Sequence, residues 1–226
     1  MSTTAWLLAA PALWAGYTLG SHLITRGSVW RGSKTGRRVS LTFDDGPDPE
    51  QTPRVLDILA ARGVTATFFL VGERAARAGA LVRRIAAAGH DLGNHTWSHR
   101  SLWLAGPRET ARQVWQGYDA IAQAAGAPPH LFRPPWGMTN LALFSVLGGL
   151  GTPCVFWTVQ TEGRRAASPG LQVERARRRV GPGAILDLHD ADGVPGAGAR
   201  LAEALPAMIG MLGAGGYSLV PLRDLL

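Results

Sequence analysis

The sequence predicts an α/β fold. Short apolar runs alternate with longer amphipathic stretches from residue 38 onward, the pattern of parallel strands joined by outer helices. Five polar segments fall at the ends of those runs, where strands give way to loops; a barrel carries its chemistry on that face. No Ser/Pro-rich linker, low-complexity run or internal repeat divides residues 38–226, so one domain accounts for them.

The first strand is the clearest. Residues 39–43 read Val-Ser-Leu-Thr-Phe, alternating and rich in β-branched and aromatic side chains. Further strand-like runs fall at 66–71, 91–94, 131–133, 154–159, 184–188 and 217–220, and amphipathic helical stretches at 53–61, 73–88, 107–125, 171–180 and 199–212. Periodicity alone does not separate a barrel from a doubly wound open sheet. Convergence of the polar segments at strand C-terminal ends favours the barrel.

The leading polar segment is Asp44-Asp45-Gly46, followed some fifty residues later by His95 and His99. Each is unremarkable by itself: Asp-Asp-Gly-Pro is ordinary turn chemistry, and a histidine pair four apart arises by chance. Together they offer two imidazoles and a carboxylate for a divalent metal, leaving a coordination position for water and a second carboxylate for acid–base work. The four-residue spacing lets one helical turn present both imidazoles on one side. Three more segments fit the same site: Phe132-Arg133-Pro134-Pro135-Trp136-Gly137, Phe156-Trp157-Thr158-Val159 and Ile185-Leu186-Asp187-Leu188-His189-Asp190.

In this order the five segments resemble the polysaccharide deacetylases with a NodB homology domain, carbohydrate esterase family four. The resemblance covers residues 38–226 and rests on Thr42-Phe43-Asp44-Asp45-Gly46, His95-Thr96-Trp97-Ser98-His99, Arg133-Pro134-Pro135 and Leu188-His189-Asp190. It implies a distorted (β/α)7 barrel and a hydrolase that removes N-acetyl groups from amino sugars in a chitin- or peptidoglycan-like polysaccharide or oligosaccharide. By the resemblance, Asp45, His95 and His99 hold one divalent ion. Zinc suits the nitrogen-rich set, and cobalt or nickel fits the same ligands. Asp44 is the general base and His189 the general acid. Arg133 orients Asp44, while the backbone N–H near Trp136 helps the metal stabilise the oxyanion. Trp136 and Trp157 are candidate walls of the sugar groove. His22, His90 and His130 are read as core histidines, Trp103 and Trp115 as packing, and Cys154 as a packed small side chain.

The chain departs from the family in the fourth segment, Trp157-Thr158-Val159-Gln160-Thr161-Glu162-Gly163-Arg164, where the family carries an Asp that supports the arginine and an Asp-Trp pair. Asp187, on the same strand face as His189, and Glu162, in the divergent loop, are the candidate replacements. Two other readings stand beside the main one. One is a deacylase or deformylase of a lipid-linked amino sugar; the other is a catalytically weak carbohydrate-binding homologue.

Residues 1–37 form a separate hydrophobic segment with a basic flank. Residues 5–25 contain no Asp, Glu, Lys or Arg and are long enough to span a bilayer, although Pro11 interrupts them. No charged residue precedes them and no cleavage site stands out, so they are read as a membrane anchor or peripheral segment rather than a signal peptide. Arg26, Arg31, Lys34, Arg37 and Arg38 follow, which by the positive-inside rule would hold the domain in the cytoplasm. Action on a wall polymer would require the opposite topology, and the side of the membrane stays open. The net charge of +7 comes largely from that flank and from Arg164, Arg165, Arg175, Arg177, Arg178 and Arg179, which read as a solvated helix face or a contact for anionic surfaces. No nucleic-acid motif is present.

Overall fold

The computed structural model describes residues 3–23, 27–163, 166–191 and 193–226, with the side chains of 3–10, 22 and 23 left aside. Arg26, Arg164 and Arg165 of the basic clusters, and the His22 side chain, lie outside the described residues.

In chain order the elements are α1 (Thr3–Leu19), β1 (Arg38–Asp44), α2 (Gln51–Ala61), β2 (Thr67–Leu70), α3 (Gly72–Arg77), α4 (Gly79–Ala87), β3 (Asp91–Asn94), α5 (Pro107–Ala125), β4 (Leu131–Phe132), α6 (Leu141–Leu150), β5 (Val159–Gln160), α7 (Pro169–Arg179), β6 (Ile185–His189), α8 (Ala197–Ala214), β7 (Ser218–Leu219) and α9 (Leu222–Leu225). Short 3-10 turns cover Gly20–Leu23, Leu102–Leu104 and Pro135–Gly137.

The strands run parallel in the order β4-β3-β2-β1-β6-β5, with β7 beside the start of β1. From Val39 onward β1 is buried throughout, as a strand covered on both faces must be. It pairs Thr42 with Asp187 and Asp44 with His189 on β6. That register brings the first and last polar segments side by side at the strand C-terminal ends.

The strand expected over 154–159 is broken in two. Cys154 bridges Phe132, and only Val159 and Gln160 pair with β6. The irregular stretch thus spans the gap between β4 and β6, which distorts the barrel at this point. The Arg133 side chain fills the break: its Nε donates to the Val155 carbonyl at 3.4 Å and its Nη2 to the Phe156 carbonyl at 3.1 Å. These acceptors would otherwise be buried without a ladder partner. Gly93 on β3 is needed because a Cβ there would stand 2.3 Å from the Phe69 ring, which fills the interior between β2 and β3.

The helical reading holds for α2, α5, α7 and α8 with small shifts of boundary. Pro107 at the first turn and left-handed Gly126 at the end delimit α5. The stretch 73–88 divides at Ala78 (φ −121°, ψ 42°) into α3 and α4. Helix α6 is an addition to the sequence reading; it is apolar on nearly every side and carries Gly148 and Gly149, so it shows no amphipathic period. Asn140 caps it, accepting from the Leu143 N–H at 3.0 Å.

The N-terminal segment differs from expectation. Helix α1 has 17 residues, about 26 Å of helix against a hydrocarbon core of about 30 Å. Among the described residues no helix is long and apolar enough to cross a membrane. The segment also touches the domain: Trp14 Nε1 donates to the Trp103 carbonyl at 2.9 Å, and Ser21 Oγ lies 2.7 Å from Thr139 Oγ1. The chain joins the barrel before residue 38, since Val29 pairs with Val155 and the Gly32 and Ser33 N–H groups donate to Gly183 and Leu225.

Candidate active site

A cavity of about 580 Å³ opens at the C-terminal ends of the strands. Asp44, Asp45, His95, His99, Trp136, Trp157, Glu162, Asp187 and His189 all line it. Arg133 lies beneath them, fully buried. The structure thus gathers every site residue singled out in the sequence.

Asp44 ends β1, and Asp45 turns away in a left-handed conformation (φ 73°). This sharp turn sends the two carboxylates to different partners. Asp44 Oδ1 accepts from Arg133 Nη1 at 2.7 Å, and its Oδ2 lies 3.8 Å from His95 Nε2. Asp45 Oδ1 stands 2.9 Å from His99 Nε2 and 3.5 Å from His95 Nε2. Gly193 makes room for this carboxylate, since a Cβ there would lie 2.3 Å from Asp45 Oδ2.

His95 and His99 reach Asp45 from a loop and not from the helical turn that their spacing suggested. His95 follows β3, and both Thr96 (φ 69°) and His99 (φ 53°) are left-handed. A β-branched residue in that region is strained; the Thr96 hydroxyl accepts the His99 N–H at 3.1 Å and ties the loop. With Asp45 and Trp136 (φ 54°), all four positive-φ non-glycine residues described belong to the site or its loops.

The donor set fits a divalent cation. One ligand atom each from Asp45, His95 and His99 lies within 4.8 Å of the others. His95 Nδ1 is 2.7 Å from the Arg133 carbonyl, so Nδ1–H donates there and leaves the Nε2 lone pair facing the cluster. Asp45 Oδ1 is buried and faces the Nε2 atoms of His95 and His99, an arrangement that suits a cation shared among the three. The two histidines, by hydrogen bond and charge, hold the Asp45 carboxyl well below its usual range against the upward push of burial. Asp44 and Asp45 likewise raise His95, although burial opposes them. Four carboxylates and no described Lys or Arg line the cavity, in a chain of net charge +7.

On the far side His189 ends β6, where burial lowers its affinity for a proton but Asp187, Asp45, Asp44 and Glu162 together raise its pKa. Asp187 Oδ1 lies 3.8 Å from Arg133 Nη1, and burial pushes the Asp187 carboxyl up to about 6. Of the two candidate replacements for the missing fourth-segment carboxylate, only Asp187 reaches Arg133. Glu162 is engaged elsewhere, 2.7 Å from Arg200 Nη2.

Arg133 holds this side of the site rigid. Besides Asp44 and the two carbonyls, its Nη1 donates to Thr42 Oγ1 at 2.7 Å, and its guanidinium lies 4.1 Å from the centre of the Phe69 ring. Trp157 borders the cavity behind it, and Trp136 is 57% exposed at the mouth with its ring 4.5 Å from that of His99.

A match to the polysaccharide deacetylase family extends over residues 31–155. The chain belongs to the polysaccharide deacetylase family. It is 35% identical over 158 residues to the peptidoglycan-N-acetylglucosamine deacetylase PgdA of Listeria monocytogenes, covering 70% of this chain and 33% of that protein; the chain therefore spans about a third of that relative. The chitooligosaccharide deacetylase of Sinorhizobium fredii is 39% identical over 155 residues, with 67% of this chain and 71% of that one covered. Among solved structures, the Bc1960 peptidoglycan N-acetylglucosamine deacetylase superimposes with a TM-score of 0.83 at 32% identity, over 88% of this chain and 92% of that one. The family's distorted barrel is the fold expected from the sequence.

Several contributors to this site are not apparent from the sequence. Thr42 opens the first motif without a role of its own in the sequence, yet its hydroxyl braces Arg133. Asp190, a motif residue with no role assigned from the sequence, accepts from the Thr52 hydroxyl at Oδ2, and its carboxylate fills the space a Cβ on Gly46 would need. Ser101, Met138 and Gln160 also line the cavity. Three assignments outside the site change: Trp115 is 44% exposed, His130 is exposed, and Arg175 leaves the basic helix face to bind the Thr161 and Glu162 carbonyls at 2.9 and 2.7 Å. His90 is a core histidine, accepting the Ala66 N–H at Nδ1.

Proposed function

We propose that this chain is a divalent-metal-dependent hydrolase that removes N-acetyl groups from amino sugars of a peptidoglycan- or chitin-like glycan. The observation that carries this reading is the three-ligand cluster of Asp45, His95 and His99 beside a second carboxylate, Asp44, fixed by Arg133. A divalent ion, zinc by its nitrogen-rich ligands, would supply polarisation of the acyl carbonyl and acidification of water.

The protein's own groups do the rest. Asp44 takes the proton from the attacking water; Arg133 occupies Oδ1 and so presents Oδ2 toward His95 and the cavity. The backbone N–H of Trp136 donates to the developing oxyanion. His189, whose pKa the surrounding carboxylates raise against burial, gives its proton to the departing nitrogen. Asp187 positions Arg133 and His189. Trp136 and Trp157 offer faces to the sugar, and the acidic lining favours a neutral acetylated glycan over an anionic one.

Residues 1–37 serve as a segment that associates with the membrane surface, with the domain working at the cell envelope. Exposed Leu13, Trp14 and Leu19 on α1, together with Leu104 at 83% exposure, favour a second substrate reading, a lipid-linked amino sugar. Metal-replete acetate release from chitin oligosaccharides, peptidoglycan, acetylxylan and a lipid-linked acetylamino sugar separates these readings. Absence of release from all four leaves only the carbohydrate-binding alternative, which the joint presence of Asp44, Asp45, His95, His99, Arg133 and His189 around one cavity opposes.

A further inference from the structure

Glu162 is buried to 4% exposure in the wall of the cavity, on the segment where the chain departs from its family. Its charge is compensated by Arg200 of α8, but in an uneven way. Both Arg200 Nε (3.3 Å) and Nη2 (2.7 Å) fall on the same oxygen, Oε1. An arginine–carboxylate pair built only for cohesion commonly uses both oxygens in a fork. Here Oε2 accepts no hydrogen bond from any described residue, while Arg200 Nη1 turns to the Pro195 carbonyl at 2.9 Å.

The backbone beneath Glu162 is fixed as well. Arg175 of α7 donates to the Thr161 and Glu162 carbonyls, so both the main chain and one carboxylate oxygen are held before any ligand arrives. Gln160, two residues earlier and paired with Asp187 on β6, also lines the cavity, and no described residue hydrogen-bonds its side chain. A pre-oriented carboxylate oxygen next to an uncommitted amide is a constellation for hydroxyl groups, since the former only accepts and the latter both donates and accepts.

We propose that Glu162, held by Arg200, accepts a hydrogen bond from a ring hydroxyl of the amino sugar being deacetylated and thereby sets which sugar the cavity takes. This rests on the reading of the cavity as a glycan site. Glu162 acts on the sugar and not on the acyl group, because Asp44, the cation ligands and His189 already surround the reacting centre. Hydrogen bonds to a charged group discriminate by about 10- to 100-fold against a ligand that lacks the partner.

The test is a cycle of one substitution against one missing hydroxyl. Acetate release is measured for the wild type and for Glu162→Gln, which keeps an acceptor for Arg200, on an N-acetylglucosamine oligosaccharide and on its 3-, 4- and 6-deoxy analogues at the reactive residue. The wild type should prefer the full sugar over one analogue by about 10-fold or more in kcat/KM, and the variant should lose most of that preference through KM. A purely cohesive Glu162–Arg200 pair would lower kcat/KM equally on all four substrates, and that result would overturn the proposal. The Arg200→Ala variant gives a second check: it should weaken the same preference, and an undiminished preference there would count equally against it. If the wild type releases acetate from none of these sugars, the deacetylase reading itself has failed, which differs from uniform loss in a working enzyme.

Discussion

Asp187 Oδ1 lies 3.8 Å from Arg133 Nη1, with both side chains essentially buried. Asp187 sits two residues before His189 on β6 and opposite Thr42 on β1, so one carboxylate serves both the arginine that holds Asp44 and the imidazole across the cavity. On the proposed reading, Asp187 is the β6 carboxylate that takes the place of the fourth-segment one. Loss of that charge should lower the pKa of His189, which the Asp187 carboxylate raises. His189 must be protonated to act as an acid, so the limb of the pH–rate profile that falls with rising pH should move to lower pH in Asp187→Asn. Metal content should stay at the wild-type level. An unmoved limb would remove Asp187 from the positioning role.

The two adjacent aspartates should separate cleanly. Asp44 binds Arg133 and Asp45 binds the histidines, so Asp44→Asn should keep the metal and lose about 10²- to 10⁴-fold in kcat. Asp45→Asn should lose the metal, as should His95→Ala and His99→Ala. Elemental analysis of the purified variants checks both halves; metal lost from Asp44→Asn and retained in Asp45→Asn would reverse the roles.

Much of this site is legible in the sequence because its groups lie at strand ends, where a short apolar run visibly stops. Asp44, His95, Arg133 and His189 are all found that way. The geometry between them is less legible. The spacing of His95 and His99 suits a helix, but Thr96-Trp97-Ser98 has no helical preference and the loop is instead fixed by left-handed Thr96 and its hydroxyl. Residues 154–158 read as strand since they are apolar; their hydrogen bonds are divided among an arginine side chain, Val29, Phe132 and Ile185, which no periodicity reveals. The choice between Asp187 and Glu162 turns on Arg200, 38 residues from Glu162, a partner that local pattern cannot supply.

Asp190 should leave a signature in stability. It is fully buried, its Oδ1 has no partner, and burial raises its pKa from 3.8 to about 7. The folded state therefore binds this proton more tightly than the unfolded chain, so the contribution is favourable below about pH 4 and is lost as pH rises toward 7. A shift of this size corresponds to roughly 4 kcal/mol at most. Asp190→Asn, which keeps an acceptor for Thr52, should show a shallower fall in stability between pH 4 and 8 than the wild type. Denaturant melts across that range measure it, and parallel curves for the two proteins would contradict the assignment.

The N-terminal segment gives the last prediction. Leu13, Trp14 and Leu19 on α1, and Leu104, are exposed apolar side chains, and the first 43 residues contain five basic and no acidic side chains. That combination suits an anionic bilayer surface, whereas spanning is disfavoured by the 17-residue length of α1. None of these residues supplies a ligand, base or acid to the cavity. Removal of residues 1–25 should therefore abolish sedimentation with anionic vesicles while leaving acetate release from a soluble oligosaccharide within about threefold of the full chain. Activity on a lipid-linked or surface-bound glycan should fall further, because anchoring raises the effective concentration at the surface. The contacts of Trp14 with Trp103 and of Ser21 with Thr139 predict a modest loss of stability, about 1 kcal/mol for each hydrogen bond removed. Full-length protein that ignores vesicles, or a truncated protein that fails to fold, would show that α1 belongs to the barrel and has no membrane role.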